Sequence, residues 1–278
     1  MHIDRRRFIE SLGGTAAVAL MTSEQKADAL EAYMEEELDA ATRALQQGSG
    51  PAKFPTMAEI AERNAQRTGI RGGGGNVFNA SNRDGSPRGP LPKMSDHPTL
   101  LEFFEKRFAP ANHVLQSATR ALKTGMPEEV IFACLMHDTV HALVKVDHGW
   151  WGAQIVEPYV SEKVAFAIRY HQTLRFYPDE KFGYEYPESY ITTFGEDYKP
   201  EPYLEQTYKM VRNHKWYELP RLVTVNDLYS FDRNAKVTID PFVDIIGRHF
   251  KQPKEGLGYD NSPVAHMWRT IMFPDRSL

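Results

Sequence analysis

Apolar residues recur at helical rather than alternating spacing along most of the chain. Between Ser23 and Gln47, the positions Leu30, Tyr33, Met34, Leu38, Ala41 and Leu45 fall near a 3.6-residue period. They predict one surface helix ending before Gly48-Ser49-Gly50. Ala111 to Leu122 predicts a second helix, stopped at Thr124-Gly125 because glycine can take the left-handed conformation that ends a helix. Pro127-Glu128-Glu129 opens a third. Proline needs no N–H in a first turn, and acids there meet the positive end of the helix dipole. That segment, EEVIFACLMHDTVHALV, is apolar almost all round after its first turn, apart from its His, Asp and Thr, so it is expected to be buried. Further helices are expected from near Asp147 and from near Ser161, the latter carrying VAFAIRYH. Residues 206–236 read as two helical pieces interrupted at Pro220. No strand–helix alternation and no long repeat appears, so the predicted class is all-α.

From Pro51 to Pro98 the pattern lapses. Gly72 to Gly75 are consecutive glycines, and Asn, Ser, Pro and Arg are frequent, which predicts loop apart from a short helix near Met57 to Gln66. The expected organisation is therefore a leader at 1–29, a helical and Gly/Pro-rich extension at 30–98, a helical bundle at 99–250 and a tail at 251–278 packed on that bundle. In the leader, Arg5, Arg6, Arg7 and Phe8 precede a mildly apolar stretch from Leu12 to Met21, with small residues at Ala27 and Ala29. The order resembles a twin-arginine export signal and implies a periplasmic location; an amphipathic helix with a basic cap in a cytoplasmic protein is the alternative.

Charge and composition then exclude several classes. A formal net charge of −4 argues against a general nucleic-acid binder, and Arg67, Arg71, Arg83 and Arg88 lack regular spacing. The single cysteine, Cys134, excludes an internal disulfide framework and a multi-thiolate zinc site. No apolar run approaches the ~20 residues of a bilayer-spanning helix. The glycine run lacks the Lys-Ser/Thr of a phosphate loop, and no G-x-S-x-G elbow occurs.

The candidate chemistry lies in histidines and aspartates. His137 and Asp138 are adjacent in the apolar segment, with His141 four residues beyond His137. A carboxylate among Ile131, Phe132, Leu135 and Val140 is costly to bury without a cation or a hydrogen-bond network. A bare His–Asp hydrogen bond in the core would meet that need, and so would a metal. Imidazole with carboxylate suits iron, manganese or zinc. The pair is not isolated, because His113 precedes it and His148, His171 and Asp232 follow on successive predicted helices. Ligands contributed one group per helix can converge inside a bundle.

The series His…His-Asp…His…His…Asp, over roughly Leu100 to Lys236, resembles the HD-domain superfamily in its six-ligand, two-metal form. The resemblance implies an HD-type helical bundle in which Asp138 bridges two ions. His113, His137 and Asp232 would complete one site, and His148 and His171 would serve the other. His141 would bind substrate or orient a ligand, or be a core histidine beside the site.

Within that superfamily the local details resemble the mixed-valent diiron oxygenases, which include myo-inositol oxygenase and the 2-amino-1-hydroxyethylphosphonate dioxygenase group. His148 stands in HGWWGA, similar to an H-x-x-x-GA helix start. Arg175 lies four places beyond His171, and Asp232-Arg-Asn-Ala-Lys236 is similar to D-D-x-A-K. Phe103 and Tyr229 stand where the phosphonate enzymes have a tyrosine and an arginine. The resemblance implies two iron ions, O₂ as co-substrate and oxidative cleavage of a small polar, anionic substrate. Arg175, Lys236 and His141 are the candidates for holding it; solvent-facing salt bridges are the alternative for the two cations. A metal-dependent phosphohydrolase using Mn or Mg is the alternative chemistry, and a non-catalytic metal-binding scaffold is a third. The aromatic run Phe176, Tyr177, Phe182, Tyr184, Tyr186 and Tyr190 would close a pocket or pin the loop to the core.

Overall fold

The segment predicted to be most buried organises the bundle. In the computed structural model, which describes residues 8–9, 18–19, 21–22, 25–35, 91–108, 111–141, 143–144, 147–232 and 234–273, helix α4 (Glu128–Met136) buries every residue from Val130 to Met136. Burying one large aliphatic side chain contributes about 1.5–3 kcal/mol, so this short helix is the best-anchored part of the core. The glycine run, the arginines at 67, 71, 83 and 88, the positions Leu38, Ala41 and Leu45, and Arg5 to Arg7 lie outside the described residues.

In chain order the helices are α1 (residues 25–35), α2 (Leu100–Lys106), α3 (Ala111–Lys123), α4, α5 (His148–Val156), α6 (Glu162–Leu174), α7 (Glu188–Phe194), α8 (Pro202–Arg212), α9 (Glu218–Leu228), α10 (Val243–His249) and α11 (Ala265–Met272). Every regular element among the described residues is helical, and one antiparallel bridge, Asp179 to Tyr184, closes a tight turn. The fold is all-α. Around α4 pack α3, α6, α9 and α10, while α5 and α9 both lie on α6. Trp268 of α11 is fully buried; it donates its indole N–H to the Ile155 carbonyl and meets Phe103 edge-on at 5.3 Å. No described helix is long and apolar enough to cross a membrane.

Local signals explain most boundaries. Ser161 caps α6 by accepting from the Val164 N–H, and Gly125 ends the turn after α3 at φ +68°. Three expectations need correction. Helix α4 stops at Met136, so His137, Asp138 and His141 lie in the tight turns that follow it. Pro220 does not interrupt a helix. It sits in the first turn of α9, where its missing N–H costs nothing, and the break falls at 213–217. Helix α1 is not a surface helix: Ala27, Asp28, Leu30, Glu31, Ala32, Met34 and Glu35 are all buried. Its apolar stripe joins Phe8, Phe176, Tyr184, Tyr190, Leu228 and Phe231 in a second core, which anchors the aromatic run.

Candidate metal centre

Five helices deliver side chains to one buried point. His113 comes from the first turn of α3, His137 and Asp138 from the turns just after α4, His148 from the start of α5, His171 from the last turn of α6 and Asp227 from the last turn of α9. All six are buried. Asp138 is central, with Oδ1 3.0 Å from Nε2 of His148 and 3.4 Å from Nε2 of His137, and Oδ2 3.8 Å from Nε2 of His113. Asp227 Oδ1 is 2.8 Å from Nε2 of His113 and 3.4 Å from Nε2 of His137.

The backbone aims three of the rings. Nδ1 of His137 lies 2.8 Å from the Cys134 carbonyl, Nδ1 of His171 2.6 Å from that of Ile168, and Nδ1 of His113 3.2 Å from that of Ser230. A carbonyl only accepts, so each Nδ1 carries a hydrogen and each Nε2 is the nitrogen turned to the centre, where a metal would displace any proton it holds. His148 is held differently. The Gly149 N–H fixes the Gln172 carboxamide at 2.5 Å, and the Gln172 NH₂ group faces both Nδ1 of His148 at 3.0 Å and Asp28 at 2.8 Å. Gly149 is required there, since a Cβ would stand 2.9 Å from the His171 ring and 2.9 Å from the Ile168 carbonyl.

Three carboxylates from α1 close the other side. Arg175, itself buried, binds Asp28 at 2.6 Å and Glu31 at 2.7 Å, and Glu35 lies 3.0 Å from Nδ1 of His141. Each of the sets Glu31–His113–His137–Asp138, His137–His171–Asp227, Asp138–His148–His171 and Glu35–Asp138–His141 offers donor atoms within 4.8 Å of one another.

Electrostatics show how strained this arrangement is as a purely organic cluster. Burial disfavours charge on His137, yet the Asp138 and Asp227 carboxylates outweigh it and hold the ring at about 9. Burial and the neighbouring His137 and His148 push His171 down to about 3. Burial opposes ionisation of Asp138, but His137 and His148 hold its carboxyl well below the usual range. Burial and the Asp227 carboxylate raise Glu31. Nε2 of His137 and His171 and both oxygens of Asp138 make no hydrogen bond of acceptable geometry. Buried polar atoms are ordinarily hydrogen-bonded. Converging lone pairs from imidazoles and carboxylates repel one another, and a cation is the partner that such a donor set fits. Charge agrees. With neutral rings, the five carboxylates at 28, 31, 35, 138 and 227 against the one guanidinium of Arg175 leave four negative charges, which two divalent cations would neutralise.

The structure thus brings together His113, His137, Asp138, His148 and His171, with His141 at the edge of the cluster. It does not bring in Asp232. That residue is exposed beyond the end of α9, where Oδ1 accepts from the Asn234 N–H, and Asp227 takes the expected place. Lys236 is exposed as well, in a non-helical segment. Arg175 is at the site, but both its amino groups bind α1 carboxylates, so it is not the expected receptor for a substrate anion. Sequence reasoning missed Asp227 and the three acids of α1. One signal existed in α1: Asp28, Glu31 and Glu35 each follow an apolar stripe residue, Ala27, Leu30 and Met34, and so flank the buried face.

The fold and site define an all-helical protein with a buried His/carboxylate cluster competent to bind metal. No family model matches the chain. A glycine-betaine-forming dioxygenase of 1-hydroxy-2-(trimethylamino)ethylphosphonate from Leisingera caerulea is 30% identical over 87 residues, 27% of this chain and 44% of that protein. The matched region thus spans less than half of the relative's length.

Proposed function

We propose that the protein is an HD-type dinuclear oxygenase that uses O₂ to oxidise and cleave a small polar substrate. His113, His137, Asp138, His148, His171 and Asp227 are the residues that would hold the irons. The observation that carries this reading is the convergence of four histidines and two aspartates on one buried point, with three of the rings tied through Nδ1 to backbone carbonyls so that Nε2 turns inward. The partial likeness to a dioxygenase favours oxygen chemistry over phosphate-ester hydrolysis.

Bound iron would supply the redox capacity for O₂ that none of these side chains has. The chain's own residues do the rest. The carbonyls of Cys134, Ile168 and Ser230 fix the rings, and the side chains they present are buried. His141, held against Glu35, can hold or move a proton at Nδ1 beside the centre. The relative's name makes a hydroxylated phosphonate the first substrate class to try. The arginine-rich leader supports twin-arginine export to the periplasm as a folded protein.

Metal content and oxygen dependence test the reading. Two irons per chain, a mixed-valent EPR signal and incorporation of label from O₂ into product are expected. Phosphate-ester hydrolysis without oxygen, supported by Mn²⁺ or Mg²⁺, would replace it, and absence of bound metal after gentle purification would leave a scaffold.

A further inference from the structure

Helix α1 precedes the bundle by many residues, yet it contributes three carboxylates to the centre where the bundle contributes two, Asp138 and Asp227. We propose, on the metal-centre reading above, that Glu31 is a metal ligand supplied by α1 and that Arg175 is the residue that positions it.

Four observations carry this. Asp28, Glu31 and Glu35 recur at intervals of three and four, so one helix face presents all three to the centre. Glu31 is 1% exposed and its ligand atom lies within 4.8 Å of those of His113, His137 and Asp138. One of its oxygens, Oε2, is held by Arg175 at 2.7 Å, while Oε1 is buried and hydrogen-bonds to nothing, as a ligand oxygen would. The opposite flank of the helix is fixed by Leu30 and Met34 in the second core, so the carboxylate is not on a wandering arm. Charge supports the same assignment. Asp138 and Asp227 neutralise half the charge of two divalent ions, and the three acids of α1 less Arg175 supply the other half. A guanidinium clamped by two carboxylates can orient one of them without competing for the metal, because it has no lone pair to donate.

The consequence is that α1 and the metals stabilise each other. The full-length protein is stripped of metal and reloaded with Mn²⁺ alone. Loading should slow amide exchange across residues 25–35 at least tenfold in the wild type, and Glu31→Gln should abolish that extra protection and weaken one of the two Mn²⁺ equilibria at least tenfold. Arg175→Met should weaken the same equilibrium less, and a changed Mn²⁺ EPR spectrum should mark the displaced carboxylate. Wild-type affinity for both ions in Glu31→Gln would overturn the assignment. So would amide exchange of 25–35 that ignores metal in the wild type, a measurement that needs no variant to fold. If Mn²⁺ uptake is as strong in Asp138→Ala as in the wild type, the metal centre itself fails, and Glu31 falls with it.

Discussion

Gly149 offers the sharpest test of how the centre is built. A methyl group there would stand 2.9 Å from Cε1 of His171, 2.9 Å from the Ile168 carbonyl oxygen and 3.1 Å from Oε1 of Gln172. Two of these atoms belong to a ligand candidate and to the backbone of α6, so neither can simply rotate away. Overpacking of this kind costs about 1–3 kcal/mol. Alanine regains about 0.5–1 kcal/mol over glycine inside a helix. The net destabilisation of Gly149→Ala is therefore about 1–2 kcal/mol, a fall in Tm of roughly 2–8 °C for a chain of this size. The functional loss should be larger than the stability loss. Relief requires α5 to back away from α6, and the two helices carry His148 and His171, whereas metal–ligand distances tolerate only about 0.2 Å. Gly152→Ala is the control on the same helix. Its nearest neighbour, the His137 carbonyl, stands at 3.4 Å, so alanine should be neutral or slightly stabilising. Thermal unfolding and metal content of both variants decide the matter. If Gly149→Ala melts and binds metal like Gly152→Ala, the close approach of α5 to α6 does not shape the centre.

Exchanging the two candidate aspartates separates the structure from the sequence expectation. Asp227→Asn should lose at least one metal per chain by elemental analysis, while Asp232→Asn should bind and melt as the parent does; the reverse result would restore Asp232. Asp138→Ala should strip metal more completely than His141→Ala, and equal losses in both would make His141 a ligand. Metal uptake should also release protons. The carboxylates keep His137 charged up to about 9 in the metal-free protein, above the ordinary histidine value of ~6.5, so at pH 7.5 an incoming cation must displace that proton. Calorimetric titration with Mn²⁺ in buffers of different ionisation enthalpy should show release that shrinks as pH rises through 9, and buffer-independent heats would contradict it. By the same shift, His137 contributes to metal-free stability fully below pH ~6.5, and that contribution is lost as pH rises towards 9.

What the chain displays along its length and what it hides differ for a physical reason. Helical period, Gly125 after α3 and Ser161 before α6 are local signals that set their elements where the structure has them, and the apolar run of α4 set its start and burial though not its end. Five of the six ligand candidates were legible because a histidine in an apolar helix is already conspicuous. The choice between Asp227 and Asp232 was not local. The two lie five residues apart about the end of α9, and the sequence alone does not show which is buried. Asp227 sits in the last turn of α9, facing His113, while Asp232 lies five residues further on, past the helix end. The match of Asp232-Arg-Asn-Ala-Lys236 to D-D-x-A-K also brought in Lys236, which is exposed. The acids of α1 were harder still. A helix with carboxylates beside its apolar stripe reads as a solvated face unless a buried cation is known to receive them, and Arg175 with the metals would be that cation.

This last point changes how stability and function are coupled here. Five carboxylates sharing one buried site repel one another, and the Arg175 guanidinium with a charged His137 offsets only part of that repulsion. Without cations, that repulsion acts chiefly between α1 and the bundle, because α1 carries three of the five and is joined to the bundle through residues 36–90 rather than by a short turn. The bundle has its own apolar core around α4 and can persist alone, whereas α1 depends on its stripe and on the charges it faces. Loss of metal is therefore expected to release α1 before the bundle unfolds, exposing Leu30, Met34 and their partners Tyr184 and Tyr190. Limited proteolysis of metal-free protein should then cut between α1 and α2 or within α1 while residues 98–273 stay intact. Equal resistance with and without metal would mean that the helix is held by its apolar stripe alone.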